Sequence, residues 1–415
     1  SVSSNSVLTA TTVAVVGNVD LGSSTLTIDG SSAAPASSID GIISGAGNLT
    51  SNGSGRLNLV QTNTYTGSTT VSNGELFVAE STATGTAVTV SGTGTLSGSG
   101  VAAGNANIGT GGTLTANSSS VGSFTVGNLA LATGGDIVFQ VNGKTTAGSD
   151  YDVLNVVGTV ALAGNLVITD TSTDTATIGN IITLINNDGV DAVSGTFAGL
   201  AQNDTVSING QSWRIVYTGG DGNDVVLIFG TPTVSISDTS VVEGNSGTSI
   251  LVFDVTVDSP LGSTFNVNYA SSNITTTNSD YTAVNDTLVF TGMTAGETLT
   301  ISVVVNSDTT VELDESILLT LTNIIGTSVV TFTDATATGT ITNDDTASLS
   351  IADVTLVEGN SGTTTFNFVV TLNNDVDTSV TVAYDTADNT ATVADSDYTA
   401  ATAQTLTFVG TLARR

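Results

Sequence analysis

ILVFDVTVD (250–258) alternates without a break, placing Phe253, Val255 and Val257 on one face of an extended chain and Asp254, Thr256 and Asp258 on the other. Such alternation belongs to a strand with one face in a core and one in water. The pattern returns in FNFVVTLNN (366–374), where Phe366, Phe368, Val370 and Leu372 take the apolar face. Further echoes surround both stretches. Phe265, Val267 and Tyr269 match Val380, Val382 and Tyr384, and SDY stands at 279–281 and at 396–398. EGNSGT begins at Glu243 and again 115 residues later at Glu358. A repeat the size of one small domain, made of half-buried strands between turns, predicts immunoglobulin-like β-sandwiches over 231–345 and 346–415.

Composition extends the β reading to the whole chain. Only 10% of the 415 residues are charged, against about 25% in ordinary globular proteins. Val, Ile, Thr and Gly fall in short alternating runs, and no stretch shows helical periodicity of useful length, so the expected class is all-β. Net charge is −32, from 37 acids and 5 bases. Such a surface repels nucleic acid and anionic lipid and attracts cations.

The chain has neither histidine nor cysteine, which removes Ser–His–Asp and Cys–His catalysis and imidazole or thiolate zinc sites. No apolar run approaches the ~20 residues of a membrane helix, so no membrane insertion is expected. SVSSNSV (1–7) has neither the basic start nor the apolar core of a signal peptide and reads as the start of a mature or excised piece. A cysteine-free, lysine-poor chain rich in Ser, Thr and Gly points to a secreted or cell-surface bacterial protein.

Between 45 and 130 a second pattern recurs: Gly, any residue, Leu. Its leucines are Leu57, Leu76, Leu96 and Leu114, at steps of 19, 20 and 18, with Leu49 and Leu129 flanking them. A period near twenty, with Gly/Asn/Ser turns between short strands, predicts a β-solenoid over 1–230 in which stacked coils bury the leucines together. SGRLNLVQTNTYTGSTTVSNGELFV (54–78), DYDVLNVVGTVALAGNLVI (150–168) and YTGGDGNDVVL (217–227) resemble the autotransporter-associated β-strand repeat of secreted bacterial surface proteins. That resemblance covers roughly 45–229 and implies a parallel β-helix in an exported protein of a Gram-negative bacterium. GGDGNDVVL (219–227) also resembles one copy of a calcium-binding nonapeptide repeat. Such repeats bind calcium when stacked turns supply ligands from both sides, so a single copy reads as a closing turn.

In the C-terminal half EGNSGT, SDY, TLVF, DTTVELDES and GTITNDD follow one another in an order that resembles the Calx-beta domain of sodium–calcium exchangers and large bacterial surface proteins. Residues 232–345 cover a whole copy. Residues 346–415 cover the first part of a second, which stops at LTFVGTLARR before counterparts of ELDES and NDD. In calcium-binding members, acids from separate loops meet at one end of the sandwich. Position by position the resemblance implies Ca2+ ligands at Glu243, Asp280, Asp308, Glu312, Glu315, Asp344 and Asp345. Calcium takes about 6–8 oxygen ligands, and two carboxylates ~4 Å apart repel by about 4 kcal/mol at an effective dielectric of 20. Converging acids therefore need a cation or raised pKa values. Glu358, Asp395 and Asp397 of the partial copy are too few for a site.

The function expected from these readings is that of a non-enzymatic extracellular structural or adhesive protein. Its calcium-stiffened modules would contact surface glycans or other cells, with homotypic assembly through the unpaired edges of the incomplete sandwich. The alternative is a carbohydrate-binding or polysaccharide-degrading β-helix, since a glycosidase needs only two carboxylates. Widely spaced Arg56, Lys144 and Arg214 and an aromatic content of 5% weigh against it.

Overall fold

The computed structural model describes residues 1–82, 86–277 and 279–411. Among them the chain is all-β, without an α-helix. No helix is long and apolar enough to cross a membrane.

The first half coils. Short strands stack in parallel into a nine-stranded sheet and an eight-stranded sheet, with a third sheet joining from Val101 onward. Leu57, Leu76, Leu96, Leu114 and Ile137 are paired in register from coil to coil, and none exceeds 2% exposure. This is the predicted ladder. Leu49 and Leu129 are buried too, but they lie on the nine-stranded sheet, in register with Thr69 and with Ala106. Their shorter sequence steps arise because each coil passes through more than one sheet. Polar turns brace the stack: Asn48 Oδ1 accepts the Ser68 N–H at 2.8 Å, and Asn128 Oδ1 the Thr159 N–H at 2.8 Å, one coil away in each case.

The coil does not continue to 229 as a purely parallel β-helix. Ile181–Asn187 pairs antiparallel with Asp224–Phe229, which pairs antiparallel with Gln211–Gly219 and so with Thr205–Ile208. The stretch GGDGNDVVL makes the tight turn of this meander, as a closing turn would: Gly222 N–H donates to the Gly219 carbonyl at 2.8 Å. Hairpins saturate backbone groups that another parallel coil would otherwise have to pair. Trp213, 1% exposed, packs 5.3 Å from Phe229 inside this cap.

Arg214, 5% exposed, joins the cap to the first sandwich. Its guanidinium donates to the carbonyls of Leu261 at 3.0 Å and Pro260 at 2.6 Å, and to Asn203 Oδ1 at 2.7 Å. The two carbonyls belong to a loop of that sandwich, whose strands begin at Thr233. One of its sheets runs Glu297–Ser307, Gly247–Val257, Thr233–Ile236 and Thr331–Phe332; the other runs Thr239–Val242, Thr336–Thr342, Glu315–Ile325, Phe265–Asn273 and Asn285–Phe290. Leu251, Phe253, Val255 and Val257 are fully buried while Asp254 and Asp258 face water, as the alternation requires. Phe265 and Phe290 stack 5.1 Å apart across neighbouring strands. Gly339 is glycine for lack of space: a Cβ there would stand 2.5 Å from both Leu251 Cδ2 and Phe253 Cζ of the opposite sheet.

The second sandwich is only sketched. Leu349–Ile351 pairs with Val370–Leu372, and Val380–Tyr384 with Gln404–Phe408. The expected strand FNFVVTLNN is realised only from Val370. Phe366 and Phe368 are 45% and 55% exposed and lie outside any strand, and Tyr384 is 50% exposed. In the first sandwich the equivalent strand pairs along eleven residues with Glu297–Ser307; among the described residues of the second copy, Val370–Leu372 pairs only with Leu349–Ile351.

Candidate metal centre

One pole of the first sandwich gathers acids from four strand connections. Glu243 follows the strand Thr239–Val242 and is held there by its own backbone: its N–H donates to the Thr342 carbonyl at 3.0 Å, and its carbonyl accepts from the hydroxyls of Ser249 and Ser307. The chain then turns through Gly244 at φ +86°, a conformation that favours glycine. Asp344, just past the neighbouring strand Thr336–Thr342, fixes the turn, accepting from Gly244 N–H at 2.9 Å and from Asn245 Nδ2 at 3.3 Å. The loop of Asp280 is tied to the loop of Asp308 by Asn306, whose N–H reaches the Asp280 carbonyl at 2.8 Å and whose Nδ2 reaches the Ser279 carbonyl at 2.6 Å. Asp308 donates its backbone N–H to the Glu243 carboxylate. Asn343 Oδ1 accepts from Glu312 N–H at 3.2 Å, and Asn343 Nδ2 reaches the Asp345 carbonyl at 3.2 Å. Glu315 opens the strand Glu315–Ile325 and shares a hydrogen bond with Asp280.

The carboxylates act on one another. Burial, then the charges of Asp308, Asp345 and Asp280, push Glu243 up to about 7. Burial, then Asp377, Glu243, Asp308 and Asp280, push Glu312 up to about 7. Burial, then Asp280, Glu312 and Asp377, push Glu315 up to about 8. Asp345 is raised by burial and by the charges of Asp344 and Asp308. Glu243 and Asp345 are 4% and 5% exposed. The Oδ2 of Asp345 and the Oε2 of Glu315 are buried with no hydrogen-bond donor.

The seven residues named from sequence therefore share one electrostatic field, Asp344 through its charge on Asp345. Asp344 itself is exposed, and its two oxygens are spent on the 244–245 turn. It braces the site. As they stand, no three acids among the described residues are close enough together to hold a metal ion, so an ion would have to draw the loops inward. Among the described residues no Lys or Arg balances them. Arg56 faces Glu75, Asn58 and the Phe77 ring, Lys144 is spent on Ser172 and the Asp174 carbonyl, and Arg214 is at the joint with the solenoid. Arg414 and Arg415 lie outside the described residues. Hard oxygen donors, orphaned acceptors and uncompensated negative charge fit a hard divalent cation.

Asp377 is the residue that the sequence reading missed. It belongs to the second copy, is 9% exposed, and is the leading charge acting on Glu312. A short parallel bridge brings it there. Val311 N–H donates to the Asp375 carbonyl at 3.0 Å, and Asp377 N–H to the Val311 carbonyl at 3.0 Å. Its segment, NNDVDTS (373–379), matches no acidic motif of the first copy, so spacing within one module gave no signal. Glu358, Asp395 and Asp397 are all exposed; Asp395 and Asp397 hold the turn at Thr392.

A family model described as the Calx-beta domain matches residues 230–346 and again 342–411. No curated protein matches the chain. Among solved structures, the apo-form Calx CBD1 domain is similar at 19% identity over 28% of this chain and 100% of that one, with a TM-score of 0.24. The Calx CBD2 domain is similar at 17% identity over 27% and 86%, also with a TM-score of 0.24. CBD12 from CALX1.2 is similar at 21% identity over 43% and 71%, again with a TM-score of 0.24. The C-terminal region of this chain, residues 230–411, carries Calx-beta domains.

Proposed function

We propose that the acidic pole of the first Calx-beta domain binds calcium and that the chain is a non-enzymatic, extracellular structural or adhesive protein. The observation that carries the reading is the buried, donorless Oδ2 of Asp345, whose charge acts on Glu243, at a pole where Glu243, Glu312 and Glu315 are crowded and no base among the described residues raises or lowers them. Glu243, Asp280, Asp308, Glu312, Glu315 and Asp345 would hold the ion. A bound calcium supplies positive charge and a demand for several oxygens at once. The chain's own part is to bring the loops together: Asn306 ties 279–280 to 308, Asn343 ties 312 to 345, and Val311 carries the segment 375–377 of the next domain against the pole.

Neutralising the acids stiffens that junction, since Glu312 and Asp377 repel each other across it. A module occupied at about 10⁻⁴–10⁻³ M calcium suits an extracellular setting, as does a surface of net charge −32 without cysteine. The solenoid is then the stalk of a bacterial surface protein, of the autotransporter-repeat kind. Contacts with surface glycans or other cells, and homotypic pairing through the second sandwich, belong to the same proposal. Calorimetric titration of the full chain with calcium tests the site. Asp345→Asn and Glu315→Gln together should lower affinity at least tenfold, whereas equal affinity in wild type and variant sinks the assignment.

A further inference from the structure

Among the described residues, the two sheets of the first sandwich end in four edge strands, and Glu297–Ser307 is the longest of them. It runs for eleven residues, against two for Thr331–Phe332, four for Thr239–Val242 and six for Asn285–Phe290. It pairs with Gly247–Val257 from end to end without a bulge. Its other side is occupied at one end alone: Thr282 N–H donates to the Val304 carbonyl at 2.8 Å, and Asn306 N–H to the Asp280 carbonyl at 2.8 Å. Backbone direction alternates along a strand, so the even-numbered residues face this side. Thr298, Thr300 and Ser302 therefore turn N–H and C=O outward, and no described strand or loop pairs with them.

Sheet edges are ordinarily blunted by Lys, Pro, inward charge or a bulge. ETLTISVVVNS carries none of these in its free stretch. Its one charge, Glu297, is folded onto the preceding turn, where it accepts from the N–H groups of Thr291 and Gly292 at 2.8 Å each. Thr298, Thr300 and Ser302 are exposed. Beside them on the outer face stand Ile250 and Val252, 47% and 41% exposed, in register with Val304 and Ser302. An edge left bare in this way is a template for another strand.

The free stretch is complementary to itself. TLTIS (298–302) reads hydroxyl, aliphatic, threonine, aliphatic, hydroxyl in either direction. Antiparallel pairing with its own copy about a two-fold axis at Thr300 sets Thr300 against Thr300, Thr298 against Ser302 and Leu299 against Ile301. Hydroxyls then meet on the outer face and aliphatic side chains on the core side, both favourable cross-strand pairs. The outward backbone groups are centred on the same residue, so each outward pair exchanges both N–H···O bonds. Like charges do not oppose each other, because Glu297 falls against Val303. Asp254, in register with Thr300, would stand three strand spacings, about 14 Å, from its copy. That exceeds the Debye length of ~8 Å at physiological salt.

We propose that the edge Thr298–Ser302 is a homodimer interface, in which antiparallel pairing with a second copy joins two sheets into one. It is separate from the acidic pole and from pairing through the second sandwich. Sedimentation equilibrium of the full chain tests it. The wild-type mass should rise toward twice that of one chain as concentration is raised. Thr300→Lys, an exposed substitution that sets two cations face to face, should hold the chain at the mass of one copy with an unchanged far-ultraviolet circular dichroism spectrum. Register has its own readout, because the chain contains no cysteine. Under diamide, which takes up the electrons and protons of two thiols, Thr300→Cys should cross-link to a dimer. Ser302→Cys, whose copy lies four residues along the facing strand from its own partner, should not. A wild type that stays monomeric, a dimer that survives Thr300→Lys, or cross-linking no greater at Thr300→Cys than at Ser302→Cys overturns the interface.

Discussion

At the scale of single residues, the acidic pole makes stability depend on pH in a direction that can be worked out. Glu243, Glu312 and Glu315 sit at about 7, 7 and 8 in the folded chain, against about 4.3 for an unfolded glutamate. For carboxyls raised in this way, the favourable contribution is complete below the unfolded value and is lost as pH rises through the folded one. In chelator, the melting temperature should therefore fall between pH 6 and pH 8.5, and saturating calcium should flatten the fall. A melting temperature that rises over that interval in chelator would show that the carboxyls are not crowded. Gly339 gives a second residue-scale prediction. An added methyl meets Leu251 and Phe253, so Gly339→Ala should cost about 1–3 kcal/mol by overpacking, read from denaturant unfolding followed by Tyr and Trp fluorescence. Glu243 and Asp280 sit beside motifs that recur in the second copy, whereas Asp308, Glu312, Glu315 and Asp345 were named only through the family resemblance, since DTTVELDES and NDD occur once. Asp344 was legible as to place and not as to role, because sequence cannot show that its oxygens are occupied by the Gly244 and Asn245 donors.

Elements show what motif spacing hides. The leucine ladder was readable because inward residues repeat once per coil, and the period carried straight into register. The antiparallel cap was not, because Ile181–Asn187 and Asp224–Phe229 are apolar runs whose direction of pairing leaves no periodic trace. FNFVVTLNN failed as a strand from the other side: the pattern is correct, but a strand also needs neighbours, and Phe366 and Phe368 have none. One loop is used twice. Residues 260–262 meet the solenoid cap through Arg214 and Thr218, and the stretch 115 residues later, 375–377, meets the first sandwich through Val311. Each sandwich thus uses the same loop to lean on the unit before it. Val311→Pro removes the N–H that donates to Asp375 and should free this junction. Small-angle scattering in calcium should then show a broader distribution of maximum dimension than wild type shows, while an unchanged distribution would mean that the bridge does not hold the modules.

For the whole molecule, composition and architecture point the same way. A chain of net charge −32, whose described bases Arg56, Lys144 and Arg214 are committed to internal contacts, leaves its acids to be met by ions from solution. A coiled stalk joined by Arg214 to one sandwich, and by Val311 to the next, makes a series of short joints in which the most crowded acids lie at the last. The central claim is that this last joint is closed by calcium, and crystallography of the full chain grown with calcium tests it most directly. The account predicts an ion at the pole with oxygens of Glu315, Asp345 and their neighbours about 2.3–2.6 Å from it. Carboxyls that stay apart, sharing protons and water with no ion between them at saturating calcium, would contradict it.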